Sequence, residues 1–315
     1  MKEFDFIQSL KNNFPESCIG DDAAIKKNQE NLYTVVTKDL FIEHIHFSRR
    51  YMSLYEIARK SVLVNVSDIA AMAGTPKEAY LGIAIPKSYT DENLAELIEG
   101  FSDTFNDYNI VLQGGDTTSS ASDLFISITL TGITTLPPLV RSNAKPGDIT
   151  CTTGPLGLSS AGLWYLQNNL PISEKLKQAH VNPVPRINEA KLLRSCGVCC
   201  GMDISDGIVG DIKHILKQSN CGAKIALEKI YIDPLVKEAA IKAKKTPWDF
   251  ILSGGEDYEL VVTIPQNLLA TTASRYTLEF GRELLVIGKI TEKEFQIYDA
   301  TGKDVSKLYA GFEHT

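Results

Sequence analysis

Positive charge is in short supply in this sequence. The 315 residues carry 32 Lys and Arg against 39 Asp and Glu, a net charge of −7. The basic residues are scattered and form no stripe, which argues against nucleic acid as the main partner. Long apolar runs are missing as well. None approaches the roughly 20 residues that span a bilayer, and the opening MKEFDFIQSLKNN lacks the apolar segment of a signal peptide. The expectation is a cytoplasmic protein with no membrane partner. Cysteine is sparse, and the six present are expected to be reduced. One C-x-x-C lies within CGVCC (196–200), but no second pair and no nearby histidine completes a zinc set, so buried thiols are the preferred reading. The usual nucleotide loops are also absent. There is no G-x-x-x-x-G-K-[ST] and no H-R-D or D-F-G set. A phosphate site here has to rely on metal ions, glycine-rich backbone and an arginine, for which Arg141 is the candidate.

What is present is a long alternation of strands and helices. A chain of this length can bury a full core and divides more naturally into two domains than one. Residues 3–13 read as an amphipathic helix, and LYTVVTK (32–38) as a strand rich in β-branched residues. Ser53 and Glu56 make a capping box that opens a helix reaching about Ala73. AYLGIAIP is a strand, Thr90 caps a helix to Tyr108, and IVLQ and LFISITLTGIT are strands. TTLPPLVRSNAKPGD, with three prolines and a Pro-Gly turn, marks a boundary, giving expected domains at 1–138 and 139–315. Beyond it helices are expected near 158–168, 186–196 and 208–219, and strands near 224–227, 258–264 and 284–290. The expectation is an α/β protein with mixed sheets.

The acidic residues recur in one setting. Asp22 follows glycine in IGDDAAI, Asp39 ends a strand, and Asp68 interrupts the apolar VNVSDIAAMAG. Asp116 stands in LQGGDTT, Asp203 and Asp206 flank serine in DISDG, and Glu256 and Asp257 follow two glycines in LSGGEDYEL. Each lies at the end of an apolar element beside Gly, Ser or Thr. A single site of this kind reads as a turn or cap; the repetition argues for convergence. Carboxylates brought together repel unless cations lie between them, and Mg²⁺ with substrate phosphates is the common arrangement. That points to phosphoryl transfer. In an extended IGDDAAI, neighbouring side chains face opposite ways, so one aspartate of the pair serves a site while the other holds the turn.

Taken in order, IGDDAAI, VNVSDIAAMAGTP, LQGGDTT, RSNAKPGD, DISDGI and LSGGEDYEL resemble thiamine-monophosphate kinase, a family of the aminoimidazole ribonucleotide synthetase superfamily. The resemblance runs from about Phe4 to Phe312. It implies a homodimer of two-domain α/β chains, the N-terminal domain binding ATP and Mg²⁺ and its strands forming a barrel at the dimer interface. It also implies transfer of the γ-phosphoryl of ATP to thiamine monophosphate, giving thiamine diphosphate and ADP. Asp22, Thr37, Asp39, Asp68, Asp116, Asp203 and Asp206 match positions that bind several Mg²⁺ ions. Gly115, Asp116, Arg141 and Ser205 match nucleotide contacts, and His46, Glu256 and Phe312 match thiamine monophosphate contacts. No acid or base is implied; Asp116, Asp203 and Arg141 would act electrostatically. A need for a monovalent cation such as K⁺ is left open.

Two positions depart from the family pattern. Lys38 stands where a small hydroxyl residue is usual, and is expected to replace a cation or meet a phosphate. Phe312 stands where Tyr or Trp is common. Rival readings fit less well. A selenophosphate synthetase would show a reactive Cys in a Gly-rich segment, unlike Cys18, and a carbamoyl dehydratase would end in Cys where this chain reads FEHT. The purine-pathway synthetase would show a TDGVGTK-like segment in place of TKDLFIEHIHF. A non-catalytic nucleotide or thiamine-phosphate binder has little need of so many carboxylates.

Overall fold

The computed structural model describes residues 3–14, 16–17 and 19–311. Cys18 and Phe312 lie outside them. The first half contains α1 (Glu3–Asn13), β1 (Ala24–Gln29), β2 (Leu32–Ile42), α2 (Leu54–Ala71), β3 (Thr75–Pro86), α3 (Asp91–Asp107), β4 (Val111–Ser120) and β5 (Phe125–Thr134). Its strands form one sheet in the order β1-β2-β5-β3-β4. Only β3 and β4 run parallel, because α3 carries the chain back between them.

Both expected capping residues act as read. Ser53 accepts from the Glu56 amide at 3.1 Å while the Glu56 carboxylate accepts from the Ser53 amide at 2.9 Å. Thr90 and Asn93 repeat the arrangement at α3. α2 is buried along nearly its whole length, including its polar residues Lys60, Ser61, Asn65 and Ser67. One side packs on β2, β3 and β5, and the other meets elements of the second half.

The second half contains β6 (Ile149–Thr152), α4 (Leu158–Gln167), α5 (Glu174–Val181), α6 (Ile187–Ser195), β7 (Cys200–Asp203), α7 (Ile208–Ser219) and β8 (Gly222–Ala226). There follow α8 (Pro234–Ala243), α9 (Pro247–Ile251), β9 (Leu260–Ile264), α10 (Gln266–Phe280), β10 (Leu285–Thr291) and β11 (Phe295–Tyr298). Its sheet has the order β11-β8-β10-β6-β9-β7, antiparallel except for the β8–β11 pair. The expected mixed α/β architecture is thus observed, with one sheet in each half. Among the described residues no helix is long and apolar enough to cross a membrane.

The sheet of the first half is open, so the expected barrel is not formed by one chain. β4 pairs on one side only and is exposed almost throughout, Val111 by 57% and Leu112 by 49%. β4 is also longer than IVLQ predicts. GGDTTSS continues the strand, so Asp116 lies within it, opposite Gly82 on β3. Gly115 allows this pairing: a β-carbon there would collide with the Leu81 carbonyl oxygen.

Candidate active site

Period-two alternation on β2 turns Val35, Thr37, Asp39 and Phe41 toward α2, and Lys38 away. Lys38 instead donates to Ser127 Oγ at 2.8 Å on β5, on the far face of the sheet from Asp39. The cation-replacing role expected of Lys38 therefore has no counterpart beside these carboxylates. Asp68, near the end of α2, accepts a short hydrogen bond from Thr37 Oγ1. Asp203 ends β7, is 2% exposed, and accepts from Ser67 Oγ at 2.5 Å. The GDD loop brings in Asp22, and one carboxylate oxygen from each of Asp22, Asp68 and Asp203 lies within 4.8 Å of the others.

Such a cluster strains against its own charge. Burial, then the charges of Asp39, Asp203 and Asp22, push the Asp68 carboxyl well above its usual range. Burial and Asp22 push Asp203 up to about 8, and burial alone pushes Asp39 up to about 6. Asp211, fully buried in the first turn of α7, is raised by burial and by Asp206 and Asp203. Arg141 is the cation in contact, through short hydrogen bonding to Asp22 Oδ1 and a 3.1 Å bond to the Gly20 carbonyl. Its backbone amide donates to Asp21 Oδ1 at 2.8 Å. The adjacent aspartates thus divide as their sequence suggests: Asp21 holds the loop and Asp22 faces the cluster. Asp22 Oδ2 and Asp211 Oδ1 are buried without a hydrogen-bond partner, the condition of atoms built to meet something else.

A cavity of about 740 Å³ opens between the two halves. Asp39, Asp68 and Asp206 line it, as do His46, Tyr51 and Glu256. His46 is fixed by accepting from the Ile42 amide at 3.1 Å and by stacking on Phe41. The GGEDY loop lies directly on DISDG: the Glu256 amide donates to the Ser205 carbonyl at 2.7 Å, and a β-carbon on Gly255 would collide with that same oxygen. Glu256 (φ +62°) and Tyr258 (φ +51°) are held in the left-handed region, a strain that tends to persist where function needs it. Asp257 points elsewhere. It accepts from the amides of Gly157 (2.8 Å) and Ser159 (3.4 Å), capping α4 from across the domain.

The sequence-based candidates therefore separate. Asp22, Asp39, Asp68 and Asp203 converge, with Thr37 and Arg141 bonded into the group. Ser205, Asp206, His46 and Glu256 line the cavity. Gly115 and Asp116 are exposed on β4, and Asp116 is not part of the carboxylate group. Sequence reasoning passed over Ser67, Asp211, Lys60 and His180. Lys60 carried a signal, a lysine inside an otherwise apolar helix, where charge is rare without a partner.

Comparison with known proteins gives this geometry a context. Models of the AIR synthase related proteins match residues 20–134 (N-terminal domain) and 145–299 (C-terminal domain). The chain is 35% identical over 307 residues to a thiamine-monophosphate kinase of Buchnera aphidicola (subsp. Acyrthosiphon pisum), covering 94% of this chain and 91% of that one. It is 34% identical over 332 residues to that of Haemophilus influenzae, covering 100% and 98%. A solved structure, AaThiL complexed with AMPPCP and TMP, superimposes with a TM-score of 0.87 at 29% identity, covering 100% and 97%. The hydrogenase maturation protein HypE in complex with ATP shares the fold at a TM-score of 0.71, covering 90% and 86%, but at 15% identity it speaks of fold alone. The two-domain fold and both family matches define an AIR synthase related protein. Within that class, the chain belongs to the thiamine-monophosphate kinase family.

Proposed function

We propose that this protein transfers the γ-phosphoryl group of ATP to thiamine monophosphate, forming thiamine diphosphate and ADP, the last step in making that cofactor. The interdomain cavity carries this reading. In one space it combines carboxylates suited to phosphate-bound cations with His46, Tyr51 and Glu256, groups suited to an aromatic, cationic substrate. The solved relative complexed with AMPPCP and TMP supports the same pair of substrates. A cytoplasmic location suits a reaction that draws on ATP.

The donor set fits Mg²⁺: hard carboxylate oxygens, half-buried to buried, mutually repelling, with Asp22 Oδ2 unpartnered. Asp22, Asp39, Asp68 and Asp203, with Thr37 and Asp206, would hold several Mg²⁺ ions, which when bound neutralise the charge of two approaching phosphates. The chain's own residues position the rest. Arg141 and Asp21 tie the GDD loop to the second domain, keeping Asp22 in place. His46 and Glu256 orient the thiamine moiety, and Ser205 and Arg141 border the nucleotide. A phosphate oxygen of the acceptor is already nucleophilic near neutral pH, so no general base is required. That oxygen forms the new bond to the γ-phosphorus as the bond to the β–γ bridging oxygen breaks, in line, and ADP leaves. Positioning and charge stabilisation supply the rate.

The exposed edge of β4 supports a homodimer in which two open sheets close into a barrel. In that assembly Gly115 and Asp116 complete the nucleotide side of the site. Leu112→Arg is expected to yield a monomer by light scattering and to abolish turnover.

Incubation of purified protein with ATP, Mg²⁺ and thiamine monophosphate, followed by chromatography, is expected to yield thiamine diphosphate and ADP in equal amounts. Phosphorylation of a different acceptor, with no thiamine diphosphate formed, would refute the substrate assignment.

A further inference from the structure

Against the cavity lies a pair of buried titratable side chains, Lys60 and His180, that the reaction as described leaves unused. Lys60, fully buried on α2, places Nζ 3.0 Å from Glu256 Oε1 and 3.5 Å from His180 Nε2. His180, 1% exposed at the end of α5, places Nδ1 3.3 Å from Glu256 Oε2 and 3.2 Å from Ser159 Oγ. Each oxygen of the Glu256 carboxylate thus has its own nitrogen partner, one from each half of the molecule. The Glu256 side chain is 24% exposed, whereas those of Lys60 and His180 are 0% and 1% exposed. Glu256 and His180 line the cavity, and Lys60 does not. Lys60 therefore grips the carboxylate from behind and His180 from the cavity wall, and the rest of the carboxylate is left open to the cavity.

The geometry points to Lys60 and His180 as positioning residues that hold the Glu256 carboxylate as a fixed acceptor for the amino or cationic part of the substrate. This rests on the proposed kinase reading. The protonation states agree with the geometry. Burial and Lys60 push His180 down to about 3, so the imidazole is neutral. Nε2 then accepts from the Lys60 ammonium, which leaves Nδ1–H to face Glu256. Burial raises the Glu256 carboxyl, but Lys60 and His180 outweigh it and hold it below its usual range. The strained φ of Glu256 aims the carboxylate, and the Lys60–His180 pair keeps it from turning away. Lys60 lies on the same helical stripe as Val64 and Asp68, at intervals of four residues. One rigid helix thereby sets the distance between the acidic group and the substrate anchor.

Steady-state kinetics on the full-length enzyme with ATP, Mg²⁺ and thiamine monophosphate test the inference. Lys60→Met is expected to raise KM for thiamine monophosphate about tenfold, with KM for ATP changed less than about twofold. Lys60→Arg, which keeps the charge, recovers most of the loss. In the Lys60→Met/Glu256→Gln double variant the effects are expected to be far from additive, because both act through one carboxylate. His180→Gln is expected to show the same selectivity and provides the readout if Lys60→Met does not fold. The inference is overturned, alone, if Glu256→Gln raises KM for thiamine monophosphate while folded Lys60→Met, or His180→Gln in its place, leaves it unchanged or shifts both KM values equally. An unchanged KM in Glu256→Gln overturns it together with the role of Glu256. A wild-type enzyme that forms no thiamine diphosphate overturns the kinase reading itself.

Discussion

Glu189 and Glu259 sit buried in the second half of the molecule with two arginines around them, whereas Asp22, Asp39, Asp68 and Asp203 gather between the halves with Arg141 as the cation in contact. In the first group Arg186 grips Glu259 in a two-pronged bond (2.9 and 2.5 Å), Thr153 donates to the same carboxylate at 2.6 Å, and Arg282 meets Glu189 at 2.5 Å. Charge is matched, and these carboxylates bind α6, β9 and the end of α10 together. In the second group, burial and mutual repulsion push the carboxyls up, and Asp22 retains a buried oxygen with no partner. Buried acid that is matched serves the fold. Buried acid left unmatched by the chain's own cations is what the proposed Mg²⁺ sites call for.

That contrast can be broken most sharply at Asp68. Asp68→Asn is expected to lower turnover by on the order of 10²–10³-fold, while the melting temperature of the metal-free protein stays the same or rises, since a repelling charge is gone. Undiminished turnover would remove Asp68 from the site. The opposite pattern is expected at the matched group. Arg186→Met leaves Glu259 short of its partner and should cost about 3–5 kcal/mol of stability in denaturant titration, with turnover per folded molecule little changed.

Acidity separates the groups next. Asp39 and Asp203 have folded values of about 6 and about 8, above the ordinary 3.8. The folded state therefore holds more protons than the unfolded one between these limits, and stability falls as pH rises through that window. The metal-free protein is expected to melt on the order of 5 °C lower at pH 8.5 than at pH 6, and millimolar Mg²⁺ should flatten the dependence. A melting temperature that rises with pH in the absence of metal would contradict the assigned repulsion. The smallest contrast lies in two hydroxyls. Thr153→Val should cost about 1–2 kcal/mol of stability with no kinetic effect. Ser67→Ala, which strips a donor from Asp203, should show itself in the Mg²⁺ concentration needed for half-maximal rate.

Much of this was legible in the chain. The capping box at Ser53 and the cap at Thr90 marked the starts of α2 and α3, because the groups they bond lie within three residues. Runs of β-branched residues marked β2 and β5, and the repeated carboxylates beside Gly, Ser and Thr marked the positions of Asp22, Asp68 and Asp203. Other features were not legible. The strand through GGDTTSS looks like a loop by composition, and only its pairing with β3 makes it β4. α10 lacks a clear apolar stripe, and α5 and β1 are too polar to stand out.

IGDDAAI and GGEDY show the division clearly. Local chemistry determined that each carried a pair of carboxylates at a bend beside glycine, but neither pair lies within a strand, so strand alternation does not fix which way each side chain turns. Tertiary structure decided which member of each pair serves the site. Asp21 is taken by the Arg141 amide and Asp257 by the start of α4, leaving Asp22 and Glu256 to face other groups. Those partners lie roughly a hundred residues or more away along the chain. A buried charge is settled by whatever the fold brings within a few ångströms of it, and sequence spacing does not encode that distance.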